Sequence, residues 1–138
     1  MPVNHISKSG KLIAISISSE EFTERGDHYF SPSAEYLQLG INSYNAGNNV
    51  PPHYHNTRDI HVKYVQEIIY LSKGTAKITL FDENNESIET FDMNSGDIVF
   101  FISGGHGIEF KEDTRLIEVK QGPYIDKSVD KTMINSPW

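Results

Sequence analysis

The sequence predicts an all-β fold, a sandwich or barrel built from eight or nine short strands. Apolar residues alternate with polar or small ones in several short runs, turn residues separate the runs, and no long stretch has helical spacing. Many short strands at this spacing are typical of sandwiches and barrels. At 138 residues the chain has the length of a single domain with one core.

The first half of the chain contains two clear strand patterns. Lys11–Ser18 has isoleucine at every second position, which predicts a half-buried strand. Residues 35–44 carry three apolar residues on one face and end at asparagine and glycine, so a second strand is expected there. Residues 19–22 predict a short capped helical turn. Residues 1–10 show no periodicity and are expected to cross the surface or pair with a sheet edge.

The second half of the chain predicts a strand that carries two histidines and then six more strands. Pro51 and Pro52 favour extended backbone into a strand that carries His53 and His55, and residues 56–63 are polar enough for a loop. The six strands are expected at 65–71, 75–82, 87–91, 97–102, 107–111 and Arg115–Lys120. The last fifteen residues lose alternation, which predicts an arm lying on the barrel or on a partner subunit, with Trp138 as its anchor.

Composition restricts the classes of partner. Twelve basic against nineteen acidic residues give a net charge of −7, and an acidic domain without a basic run is a poor nucleic-acid binder. The absence of cysteine excludes disulfides and thiolate zinc sites. The apolar run at residues 12–17 is too short to span a membrane and follows no signal-peptide pattern. These features predict a cytoplasmic protein that binds neither nucleic acid nor membranes.

Three histidines and one glutamate have the pattern of a metal site. His53 and His55 are two residues apart, so on extended backbone both side chains point the same way. Glu67 lies in an apolar run, where an unpaired carboxylate would cost on the order of several kcal/mol unless a cation neutralised it. His106 follows in a second glycine-rich segment. Three imidazoles and a carboxylate predict a mononuclear metal site; the alternative is a glutamate at a wet cavity mouth beside histidines that only form hydrogen bonds.

These segments resemble the paired motifs of the cupin superfamily over about residues 35–120. The positions that match the two motifs are Gly47, His53, His55, Glu67 and Gly74 in the first, and Gly96 and His106 in the second. The chain departs from the family pattern in two places. Eleven residues separate His55 from Glu67 instead of three or four. The second motif is one residue short, with Ile102 near the usual proline and Phe110 in place of the usual asparagine.

The resemblance implies a double-stranded β-helix, the jelly-roll or cupin barrel. It implies one cupin domain over residues 1–138, with the barrel core at about 35–120 between N- and C-terminal arms. The ligands of one divalent metal ion would be His53, His55, Glu67 and His106. This donor set suits iron, manganese or nickel with open coordination positions, and zinc is a further candidate. The resemblance also favours a homodimer.

Residues near the expected ligands predict a small-molecule pocket. Ile108 and Phe110 alternate with His106 and would form an apolar wall, with core packing as their alternative role. The segment after His55 begins at the rim of the site. Its Arg58, His61 and Lys63 would bring positive charge for a carboxylate or phosphate group of a ligand; the alternative is a solvated charged loop.

Several functions fit these residues. The first is a metal-dependent enzyme of the oxygenase, isomerase or lyase type that acts on a small anionic or chelating metabolite. The second is a non-catalytic metabolite-binding or sensing module with the same site. A metal-free structural barrel is the third. A fourth resembles the sugar-nucleotide isomerases among the cupins, which use a histidine–carboxylate pair instead of a metal. The sequence leaves open whether the protein is an enzyme.

Overall fold

The structure, a computed structural model, describes residues 2–135. The prediction of an all-β chain is confirmed. The strands are β1 Val3–Lys8, β2 Lys11–Ser18, β3 Gly26–Tyr29, β4 Gly40–Ser43, β5 Glu67–Lys73, β6 Thr75–Phe81, β7 Ser87–Asn94, β8 Asp97–Phe101, β9 Gly105–Phe110 and β10 Arg115–Lys120, followed by the short helix α1 Lys127–Asp130. The expected anchoring role of Trp138 falls outside the described residues.

The strands form three antiparallel sheets. The largest has the order β1-β2-β8-β5-β10, a second has the order β7-β6-β9, and β3 pairs with β4. None of the sheets formed by residues 2–135 closes into a barrel. Within the same residues, no helix is long and apolar enough to cross a membrane.

The five-stranded sheet is covered on both faces, which divides the core into two clusters. One cluster lies against the three-stranded sheet and joins Ile69, Leu71, Val99 and Phe101 to Ala76, Ile78 and Leu80 of β6. The other lies on the opposite face and joins Ile15, Ile17 and Phe100 to Leu39, with Phe30, Leu37 and Ile41 packed around them. Residues 30–41 therefore cover the face of the five-stranded sheet that lies opposite the three-stranded sheet.

The prediction of a strand over residues 35–44 is wrong for most of that range, because only β4 is a strand there. Upstream of β4, Leu39 O still accepts from Phe30 N at 2.9 Å, but two backbone N–H groups donate to side chains. The N–H of Leu39 donates to Ser31 Oγ (2.9 Å), and the N–H of Leu37 donates to Gln66 Oε1 (3.0 Å). The apolar alternation of this segment serves to cover the sheet and does not indicate strand pairing.

The N-terminal residues pair with a sheet edge, one of the two placements expected for them. β1 runs antiparallel to β2, with Val3 opposite Ile17 and Ile6 opposite Ala14. The five-stranded sheet therefore begins at Val3, well before residue 35. At residues 19–22 the backbone makes a turn and no helix, with hydrogen bonds from Glu21 N to Ser18 O and from Phe22 N to Ser19 O.

Gly104 precedes β9 in a conformation that only glycine adopts easily. Its φ is +70°, and an added Cβ would lie 2.3 Å from the carbonyl oxygen of Phe81. We expect Gly104→Ala to lower the free energy of unfolding by about 3 kcal/mol, since left-handed strain adds to a backbone clash. Urea unfolding measures the loss. Gly10→Ala is the matched control: its φ is +76° with no atom within 4 Å, so it should cost only about 1 kcal/mol. Equal losses in the two variants would contradict the clash.

Candidate functional site

A cavity of about 520 Å³ opens between the facing sheets and the C-terminal residues 130–134. This volume is within the range of small-molecule sites. Charged and polar side chains form one part of the lining: Glu67, His106, Glu118, Lys120 and Asp130. Apolar side chains form another part: Phe81, Phe101, Ile102, Ile108, Met133 and Ile134. The cavity is therefore amphipathic, with titratable groups on β5, β9, β10 and α1.

Glu67 and His106 meet across the cavity from the two facing sheets. Glu67 begins β5 in the five-stranded sheet, and His106 lies on β9 in the three-stranded sheet. His106 Nε2 lies 3.5 Å from Glu67 Oε2, and both side chains are mostly withdrawn from solvent. The His106 ring stacks on Phe101 with ring centroids 3.7 Å apart and planes 6° apart. This contact fixes the plane of the imidazole, so that its edge faces the carboxylate.

Strand β10 contributes two charged residues that the sequence interpretation missed. Lys120 is directly opposite Glu67 in the β5–β10 register, and Glu118 is opposite Ile69. Directly opposed residues share a face of the sheet, so both side chains lie on the face of Glu67. Leu116 shares this face and packs against the first core cluster, while Ile117 and Val119 point to the other face. Glu67 was the one signal in the sequence that could have indicated these two residues, because a buried carboxylate needs polar neighbours on the adjacent strand.

The electrostatics of this cluster keep Glu67 ionised. Burial by itself raises the pKa of Glu67, but hydrogen bonds with His106 and Glu118 and the positive charges of His106 and Lys120 outweigh burial and lower the pKa to about 2. The pKa of Glu118 is raised, first by its hydrogen bond with Glu67 and then by burial. Lys120 Nζ donates to Asp130 Oδ2 at 3.2 Å, which raises the pKa of Lys120 and ties residue 130 to the cavity.

The low pKa of Glu67 predicts a specific loss of stability in acid. The folded-state pKa lies below the ordinary 4.5, so the ionised carboxylate stabilises the folded protein above about pH 4.5. That contribution is lost as the pH falls from 4.5 toward 2. We expect the wild type to lose on the order of 2 kcal/mol more than Glu67→Gln across this interval. Urea unfolding of both proteins at several pH values measures the difference, and parallel curves would contradict the assigned pKa.

His53 and His55 lie in residues 44–66, which contain no strand, so their placement on a strand is wrong. Both residues are exposed. Their ring centroids are 5.3 Å apart, and His53 Nδ1 lies 2.8 Å from Pro51 O. The eleven residues that separate His55 from Glu67 place the two histidines in a long connection, away from the paired part of β5.

The structure therefore brings the expected ligands together as two pairs. Glu67 meets His106 in the cavity, and His53 meets His55 on the exposed connection. No group of three or more His, Asp or Glu side chains within residues 2–135 has an arrangement that could hold a metal ion. Imidazole and carboxylate donors suit a divalent transition metal, but the arrangement supplies only one pair of them at the cavity. The four-ligand set stays a prediction.

The expected ligand-binding residues fall in two places. Ile108 lines the cavity, while Phe110 lies at the end of β9 with 54 % of its surface exposed. The described residues that line the cavity do not include Arg58, His61 or Lys63, which are exposed. His61 Nε2 lies 3.4 Å from Asp59 Oδ2, a contact within the same segment.

No known protein family, characterised protein or solved structure gives a match when compared with this chain. Its function therefore has to be inferred from the motifs of the sequence and from the residues that meet in the cavity.

Proposed function

We propose that this protein is a cupin-like, metal-binding protein that holds a small metabolite in the cavity between its sheets. The observation that carries the proposal is the approach of His106 to within 3.5 Å of Glu67. A histidine and a glutamate from the two halves of the resemblance motif reach each other from facing sheets. Two facing antiparallel sheets also support the finer fold proposed here, a double-stranded β-helix.

The proposed ligands of the ion are His53, His55, Glu67 and His106. A bound iron, manganese, nickel or zinc ion would supply a Lewis acid toward an oxygen atom of a chelating or anionic metabolite. The chain's own residues have separate tasks. Phe101 holds the imidazole plane of His106, and Ile108 keeps water from one side of the cavity. Glu118 and Lys120 offer an acceptor and a donor to the polar groups of a metabolite.

A homodimer is part of the proposal. β10 is an edge strand of the five-stranded sheet, and Ile117, Val119 and Tyr70 are between 38 % and 52 % exposed on its outer face. An apolar edge strand is a surface that proteins normally cover. Light scattering on the purified protein should give the mass of two chains.

Metal content tests the proposed function directly. The full chain without a histidine tag should be stripped with a chelator, supplied separately with Fe²⁺, Mn²⁺, Ni²⁺ and Zn²⁺, and freed of loose ions by gel filtration. Elemental analysis should find about one ion per chain for at least one metal. The absence of retained metal under all four conditions would overturn the proposal. With the loaded protein, oxygen consumption on addition of candidate metabolites then separates an oxygenase from a binding module.

A metal-free histidine–carboxylate function is the second candidate, and the same contact favours it. In an isomerase-like reaction, His106 would move a proton at Nδ1, the ring nitrogen that does not face Glu67, while Glu67 beside Nε2 would orient the ring and stabilise its charged form. The raised pKa of Glu118 makes it a suitable neighbouring acid. Chelator treatment separates the two candidates: it abolishes ligand binding or turnover in the first and leaves the second unchanged.

A further inference from the structure

The C-terminal residues 126–134, which we call the strap, form one wall of the cavity. The strap residues in the lining are Asp130, Lys131, Thr132, Met133 and Ile134. β9 and β10 also line the cavity, and each is an edge strand of one of the two facing sheets. The cavity therefore lies at a side of the protein where both sheets end, and the strap covers part of that side.

Two contacts attach the strap, one to each of these edge strands. On β10, Lys120 Nζ donates to Asp130 Oδ2 at 3.2 Å, and both side chains are mostly withdrawn from solvent. On β9, Ile134 packs closely on Gly105, because an added Cβ at residue 105 would lie 2.4 Å from Ile134 Cδ1. Extended chain from residue 130 to residue 134 reaches about 13 Å, which exceeds the distance of about 10 Å between packed sheets. The strap therefore bridges the edges of the two sheets.

The contacts of the strap give it little stability of its own. Within residues 2–135, its backbone hydrogen bonds stay inside the strap, such as the bond from Asp130 N to Asp126 O at 3.0 Å. The helix α1 buries none of its residues, and Val129 and Met133 are 65 % and 76 % exposed. A segment with local hydrogen bonds and little buried apolar surface opens at a low cost in free energy.

We propose that the strap is a displaceable wall of the cavity. It opens to let a small molecule enter, and the Lys120–Asp130 ion pair and the contact of Ile134 with Gly105 hold it closed. Met133 and Ile134 lie in the apolar part of the lining, so in the closed state they contact the apolar part of the bound molecule. The inference rests on the proposed function for the presence of a metabolite, whereas closure of the strap depends on no bound ion.

Thiol labelling of the chelator-stripped full chain tests the strap, because the chain has no cysteine of its own. In Ile134→Cys the thiol reports release of the strap, and in Ile108→Cys it reports access to the cavity. Ser103→Cys is a second cavity reporter, in which a thiol replaces the hydroxyl of a lining residue. Each protein is treated with methyl methanethiosulfonate, a small neutral thiol reagent, and labelling is followed by mass spectrometry. Circular dichroism confirms the fold.

Two further substitutions each remove one attachment of the strap. Asp130→Asn, made in all three reporter proteins, removes the ion pair to β10. Gly105→Ala, made in the two cavity reporters, adds the Cβ that meets Ile134, while the next atom, Phe81 Cβ, lies at 3.5 Å. Labelling follows the open fraction when opening is fast, so each substitution should raise the labelling rate about threefold to tenfold.

Glu109→Gln is the matched control. It removes a carboxylate charge from the pair with Lys111, away from the strap, and should leave all labelling rates unchanged.

The other outcomes overturn the strap. Unchanged labelling of Ile134→Cys by the addition of Asp130→Asn would mean that the ion pair does not hold the segment. Faster labelling of Ile134→Cys with unchanged labelling of both cavity reporters would mean that the segment moves without controlling entry. An equal increase with Glu109→Gln would assign the effect to overall charge. Because every sample is free of metal, failure of the proposed metal site changes none of these results.

Discussion

Replacing Glu67 by glutamine is expected to weaken metal binding about a hundredfold or more while the protein stays folded. Glutamine keeps the size of the side chain but removes the charge that faces the cavity. The loss should be large because Glu67 supplies the only carboxylate in the proposed ligand set. Competition with a chromophoric chelator measures the affinity, and circular dichroism confirms the fold.

Glu109→Gln is the matched control for this prediction. Glu109 lies on β9 three residues after His106, on the other face of the strand, where its carboxylate pairs with Lys111 at 3.3 Å. The same chemical change there removes one negative charge from the protein without touching the cavity, so affinity should stay within about twofold of the wild type. Equal losses in both variants would mean that overall charge, and not ligation by Glu67, governs metal uptake.

The sequence predicts best the strands in which apolar and polar residues alternate because one face of the sheet is buried. β2 and β10 begin and end at the predicted residues, because a side-chain period of two is a direct consequence of strand geometry. Residues 35–39 carry the same period and form no strand. Alternation records which side chains are buried, and it cannot tell whether the backbone bonds to a neighbouring strand or to side chains such as Ser31 and Gln66.

The sequence predicts the part of the site where a polar residue lies in an otherwise apolar strand. It does not predict the part that depends on how two strands pair. Glu67 is conspicuous because a carboxylate within an apolar run needs a partner, and the structure supplies His106. Glu118 and Lys120 alternate with Ile117 and Val119, and alternation alone favours burial of the apolar pair. The pairing of Lys120 with Glu67 instead places the charged residues on the cavity face. Such a pairing depends on contacts between strands far apart in sequence, which local pattern does not encode.

His53 and His55 show that a sequence motif can be recognised without its position in the fold being known. Their spacing indicates a shared direction on extended backbone, and the rings are indeed close together. Both lie in a long connection without strands, and their spacing alone does not place that connection relative to β5. A motif match identifies residue types and order along the chain. It does not determine where a segment without regular structure lies relative to the strands.

Truncating Phe100 to alanine is expected to lower the free energy of unfolding by about 3–5 kcal/mol. Phe100 on β8 is fully buried in the cluster with Ile15, Ile17 and Leu39. β8 is also the central strand of the five-stranded sheet, paired with β2 and β5. A cavity at this position loosens the cover formed by residues 30–41, and through Leu37 it reaches the hydrogen bonds of Gln66 beside Glu67.

Urea unfolding measures this loss, and Phe110→Ala is the control. The comparison separates the effect of removing a buried ring from the effect of removing any aromatic ring. Phe110 is 54 % exposed at the end of β9, so its truncation should cost about 1 kcal/mol or less. Native proteins hold only about 5–15 kcal/mol in total, so Phe100→Ala should be partly unfolded at temperatures where Phe110→Ala is fully native. Similar midpoints for the two variants would contradict a packed second face of the sheet. In that case residues 30–41 could not serve as the support on which Gln66, Glu67 and the connection to His55 depend.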